Sequence, residues 1–141
     1  MVVGLDGSAS SRAALHWAIQ YATATRRPVH AVAVWHQEPF AEERPLPKEE
    51  FEAEAKRWVM DALDDLEPDE ERADIHTHLD EGDPVNVLLT ESREAEVLVL
   101  GNHRHSRLHD AMVGSVAVEC ARKAPCTVVL VPKPRGAGEP G

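Results

Sequence analysis

The 141-residue sequence predicts an α/β fold: one domain with a parallel sheet and helices on both of its faces. Three observations carry that reading. Strand-like and helix-like segments alternate in the order βαβαβαβαβ. Residues 97–100, Val-Leu-Val-Leu, form an uninterrupted apolar run, as expected of a strand buried on both faces of a parallel sheet. Turn and helix-start signals, Asp6-Gly7-Ser8 and Gly82-Asp83-Pro84, lead into helical segments.

The elements follow in order. Residues 1–5 are a short apolar strand. Ser8 or Ser10 can cap the next helix by accepting an N–H bond from its first turn. That helix is expected to run to about Thr25, with Ala14, Leu15, Ala18, Ile19 and Ala22 as its buried stripe. Arg26-Arg27-Pro28 stops it, with cations near the negative end of the helix dipole. Val29–Trp35 alternates β-branched residues and reads as the second strand. Residues 37–47, rich in Pro and Glu, read as a surface loop. Pro47 opens the second helix with Glu49 and Glu50 in its first turn. Phe51, Ala55, Trp58, Val59, Ala62, Leu63 and Leu66 form its apolar face, opposite an acidic one.

Residues 68–74 are a charged connection. Residues 75–79 form a short strand with Ile75, Thr77 and Leu79 on one side and His76 and His78 on the other. Asp83 caps the third helix and Pro84 is its first residue. Val85, Leu88 and Leu89 are its inward residues. The fourth strand, 97–100, ends at Gly101. A polar loop, 102–109, leads to a helix over about 113–122, and residues 126–131 are the last strand. The final ten residues hold three Pro and three Gly, a composition expected to be disordered.

The net charge is −10, from 15 Lys and Arg against 25 Asp and Glu. That balance argues against DNA or RNA as a partner, which would require a basic footprint. The charge is uneven: residues 38–83 carry 18 acids and 5 bases. No apolar run approaches the roughly 20 residues of a membrane helix. The N-terminus lacks a basic segment followed by an apolar one, so no signal peptide is expected. Cys120 and Cys126 form neither a CxxC pair nor a disulfide framework and are expected as small buried hydrophobes in a reducing cytoplasm.

In open parallel sheets a ligand sits beyond the carboxyl ends of the strands, where strand order reverses. The loop after Gly101 is the richest such stretch. Glycine admits backbone N–H groups to an anion, and a helix N-terminus adds unpaired donors. Gly101, Gly114, the Ser115 hydroxyl, Arg104 and Arg107 together suit phosphate. His103, His105 and His109 lack the cysteine or carboxylate company of a closed zinc site, and no metal is expected. Asp6 lacks the paired acids of a phospho-acceptor. Trp17, Trp35 and Trp58 are expected as packing residues, and His76 and His78 as surface polar residues.

Several stretches resemble the universal stress protein family. Val3-Gly4-Leu5-Asp6-Gly7-Ser8 is similar to its first-strand signature and Glu81-Gly82-Asp83-Pro84 to the one before its third helix. Val97-Leu98-Val99-Leu100-Gly101 leads into its nucleotide motif, and Gly114-Ser115-Val116 closes it. The resemblance spans residues 1–132 and leaves 133–141 as a tail. It implies a Rossmann-like sheet in the order 3-2-1-4-5, a homodimer formed through the last strand, and ATP binding, with magnesium as an accompanying ion. By position it places Asp6 on the adenine or ribose side. Val34 and Leu100 would line the adenine pocket, and Gly4 would provide close backbone approach. Gly101, Gly114, Ser115 and the Val116 backbone would hold ribose and phosphates. Arg104 stands where the motif has its second glycine. A left-handed backbone there would cost on the order of 1–2 kcal/mol, and the side chain could either fill the phosphate path or pair with a phosphate.

The resulting expectation is a cytoplasmic ATP-binding module of the stress response that uses occupancy as a switch. No general base aimed at a γ-phosphate is evident, so an enzyme is not expected. A nucleotide-free homodimeric interaction protein closed by Arg104 is the rival. A slow ATPase, or an autophosphorylating protein with Ser115 or Ser106 as acceptor, is a weaker alternative.

Overall fold

The computed structural model describes residues 1–36, 47–102 and 114–133. Its strands are β1 (Val2–Leu5), β2 (Val29–Trp35), β3 (Ile75–Glu81), β4 (Val97–Gly101) and β5 (Thr127–Val131). Its helices are α1 (Ala9–Thr25), α2 (Lys48–Asp64), α3 (Pro84–Glu91) and α4 (Ser115–Lys123), with a 3₁₀ turn at Glu70–Arg72. The five strands form one sheet in the order β3-β2-β1-β4-β5, and all four pairings are parallel. The expected strand order is therefore the observed one.

Alternation along each strand divides the core into two layers. Val3, Leu5, Ala31, Ala33, Val97 and Val99 point to one face, where α1 and α2 bring Leu15, Ile19, Ala55 and Val59. Val2, Val32, Val34, Leu98 and Leu100 point to the other, where they meet Leu88 of α3 and Ala117 and Cys120 of α4. Burial pushes the Cys120 thiol up to about 11, so it stays protonated and inert near neutral pH.

The ends of the elements refine the sequence reading. Pro47 is the N-cap of α2, with extended ψ of 146°, and the helix starts one residue later. β3 continues to Glu81 because β2 pairs with it along its whole length, from Val29 with Ile75 to Trp35 with Glu81. In α3 only Leu88 is fully buried, while Val85 and Leu89 are half-buried. β5 starts at Thr127. The loop expected at 37–47 lies outside the described residues up to 46, as do residues 103–113 and the tail from 134.

Two histidine contacts tie elements together. His16 of α1 bridges Asp65 at the end of α2 (Nε2 to Oδ2, 2.9 Å) and Glu70 of the 3₁₀ turn (Nδ1 to Oε2, 2.6 Å). Partial burial opposes its charge, but the hydrogen bonds and charges of Asp65 and Glu70 outweigh it and raise its pKa. On the outer side of β2, His30 Nδ1 lies 2.9 Å from His78 Nε2, and its ring stacks on His76 at 5.0 Å. Burial, then the charges of His78 and His76, lower its pKa.

The two sites act on stability with opposite sign. The raised pKa of His16 makes its stabilisation complete below the unfolded value of about 6.5 and lost as pH rises through the folded value. The lowered pKa of His30 makes its contribution complete above about 6.5 and lost as pH falls through the folded value. Urea midpoints should show His16→Gln costing more at about pH 6 than at about pH 9, and His30→Gln the reverse.

Candidate functional site

The site begins at the end of β1. Gly7 turns the chain with φ of +86°, a conformation that suits glycine. Asp6 Oδ1 accepts from the Ser8 backbone N–H (2.9 Å) and from the Ser8 hydroxyl (2.5 Å). Ser8 in turn caps α1, its Oγ accepting from Ser11 N–H at 3.1 Å. The first turn of α1 is thus closed by its own residues.

The end of β4 is pressed onto that same turn. A Cβ on Gly101 would lie 2.5 Å from Ser10 Oγ and 2.6 Å from both the Ser10 carbonyl carbon and Ser11 N. Gly4 is tight in a softer way, since its Cβ would meet the Leu100 side chain at 2.8 Å. Beyond these glycines, β1 and β4 leave a cavity of about 590 Å³ at the carboxyl end of the sheet, the place where strand order reverses.

All the site residues expected from sequence that the structure describes line this cavity. Gly4 and Asp6 come from β1 and its turn, and Val34 from β2. Leu100 and Gly101 close β4, while Gly114, Ser115 and Val116 open α4. Arg104 and the rest of residues 103–113 lie outside the described residues, while Asn102, the first residue of the loop, donates its backbone N–H to Val131 C=O at 2.7 Å. Gly114 is the N-cap of α4 without a side-chain cap bond. The first intrahelical bond runs from Val118 N–H to Gly114 C=O, so the N–H groups of Ser115, Val116 and Ala117 have no intrahelical partner. Unlike α1, this helix presents open donors to the cavity.

The opposite wall is not among the residues the sequence singles out. Phe51, Glu54 and Trp58 of α2 line the same cavity, as do Trp35 and His36 at the end of β2. Lys48 at the start of α2 lies over the Trp35 ring, 5.9 Å from its centre. A Cβ on Gly7 would sit 2.6 Å from Trp58 Cδ1, so the indole edge covers the β1–α1 turn directly. The apolar spacing of the sequence assigns Phe51 and Trp58 only to packing. Among the described residues no group of three or more His, Cys, Asp or Glu is arranged to hold a metal.

The model of the Universal stress protein family matches residues 1–132. The chain belongs to that family. A universal stress protein of Mycobacterium tuberculosis is 30% identical over 134 residues, covering 93% of this chain and 47% of its own. The chain thus spans about half the length of the curated relatives it matches first. A universal stress protein of Archaeoglobus fulgidus, solved in complex with dAMP, shares the fold with a TM-score of 0.69 at 23% identity, over 92% of this chain and 94% of its own. Another, solved in complex with cAMP, has a TM-score of 0.68 at 24% identity, over 94% and 96%. No helix among the described residues of this universal stress protein is long and apolar enough to cross a membrane.

The two tight glycines predict different costs. Gly101→Ala drives a Cβ into backbone and should lower stability by about 1–3 kcal/mol. Gly4→Ala meets a side chain that can rotate and should cost less. Denaturant midpoints of the two variants measure the difference.

Proposed function

We propose that this universal stress protein is an adenine-nucleotide-binding regulatory module of the stress response, with ATP as its ligand and nucleotide occupancy as its output. The cavity at the carboxyl end of the sheet carries the reading. Its one wall offers Gly101, the Ser115 hydroxyl and the open N–H groups of α4, a donor set suited to phosphate oxygens. Its apolar floor, with Val34 and Leu100, suits a base. The likeness to folds solved with cAMP and dAMP supports an adenine nucleotide. Where magnesium accompanies the phosphates, the Ser115 hydroxyl at the start of α4 is the described side-chain group that would meet it. The module acts by binding rather than by turnover, and it acts in the cytoplasm.

Homodimerisation through β5 belongs to the same reading. Residues 128–131 of this edge strand are apolar and half-buried, and unpaired apolar edges are normally covered. Light scattering should give about twice the 15.5 kDa chain mass; a monomer refutes the pairing.

Protein extracted with acid should release adenine nucleotide, or calorimetry should show ATP binding to the emptied protein. Absence of both overturns the reading in favour of a nucleotide-free interaction protein. Ser115→Ala should weaken ATP by about 1 kcal/mol. Arg104→Gly separates the two roles of that side chain: tighter binding marks an obstruction and weaker binding a phosphate contact.

A further inference from the structure

The cavity has two chemically different ends. The sheet order places α4 against β5 and α3, and α2 against β2 and β3. A ligand whose phosphates lie on the α4 donors therefore extends its other end towards α2. The residues waiting there are Phe51, Glu54 and Trp58. Their spacing, three and then four residues, aligns them along one side of the helix. That stripe is offset from Ala55, Val59 and Ala62, which are buried against the sheet. Phe51 and Trp58 also touch the core, and both are half-buried. The helix thus spends two faces, one on the core and one on the cavity.

Glu54 falls between the two aromatic residues along the axis of α2, on the flank away from Ala55 and Val59, and lines the same cavity. It is exposed and makes no hydrogen bond or ion pair with a described residue. An ionised carboxylate only accepts hydrogen bonds. Aromatic rings offer flat surface to any base without reading its edge. An acceptor-only group beside them favours a base edge that carries a donor, such as an exocyclic amino group.

We infer that α2 is the base-reading wall of this pocket: Phe51 and Trp58 pack against the ring plane, and Glu54 accepts a hydrogen bond from the amino group of an aminopurine. The inference rests on the nucleotide reading above and names the part of the ligand that α2 selects. Glu54 is a specificity residue and Trp58 a non-selective contact.

The test compares two ligands that differ only in the amino group, ATP and purine riboside 5′-triphosphate, by calorimetry on the full chain. Wild type should bind ATP about tenfold more tightly, as one charge-assisted hydrogen bond implies. Glu54→Leu, at an exposed helix position where folding is indifferent to it, should shrink that ratio to about twofold or less. Trp58→Leu should weaken both ligands by a similar factor and leave the ratio intact. Equal binding of the two ligands by wild type, or a ratio that survives Glu54→Leu, overturns the base-reading role and leaves nucleotide binding standing. Failure of wild type to bind either ligand overturns both.

Discussion

The close contact between the end of β4 and the start of α1 holds the rest of the site in place. At Gly101 the distance to Ser10 and Ser11 leaves no room for a single carbon, so backbone packs on backbone. Such a contact has no rotamers to adjust. It sets where β4 stops, and with it the height at which the cavity opens above β1. The Asp6–Ser8–Ser11 bonds keep the other side of the contact from unwinding. A pocket that presents backbone donors at fixed positions gains most from a frame of this kind, because it rests on backbone contact and on short side chains with few rotamers.

The charge asymmetry of the sequence reappears as polarity of this cavity. The acidic stretch 38–83 contains α2 and β3, while α4 belongs to the mildly basic remainder. The cavity lies where the two meet. Its α4 side offers N–H donors and the positive end of a helix dipole, and its α2 side offers aromatic surface and a carboxylate. An anionic group bound at random would be repelled at one end and held at the other. The total of −10 thus conceals a directional site.

Much of this was legible in the residues, and the gaps have physical causes. Strand and helix periodicity, the Asp83-Pro84 helix start and the glycines at the strand ends are local features, and they mark the elements well. The strand order, and Gly4, Asp6, Val34, Leu100 and Val116 as site residues, come through resemblance to a family, since nothing local tells β1 which neighbours it will take; Gly101, Arg104, Gly114 and Ser115 read as a phosphate site from their own chemistry. The contribution of α2 was hidden because Phe51 and Trp58 satisfy the apolar pattern of a packing face. Only their offset from Ala55, Val59 and Ala62 marks a second stripe, and Glu54 on an acidic helix stands out from nothing. His30 was missed for a related reason. Its partners, His76 and His78, lie more than forty residues away, and only the β2–β3 register brings them together.

The two edges of the sheet are unlike. β5 ends it with four consecutive apolar residues, whereas in β3 the two apolar residues, Ile75 and Leu79, are interrupted by histidines, a threonine and carboxylates. Continued growth of a sheet needs two receptive edges, one to join and one left to be joined. Here one edge is inviting and the other is marked by imidazole and carboxylate groups. Strand addition at β5 by a second copy would bury both inviting edges at once and leave outside the β3 edges, where Ile75 and Leu79 are separated by histidines, a threonine and carboxylates. Were copies to pair at β5, the asymmetry would act as a terminator, permitting one pairing event and hindering the next, which separates a finite assembly from a fibre.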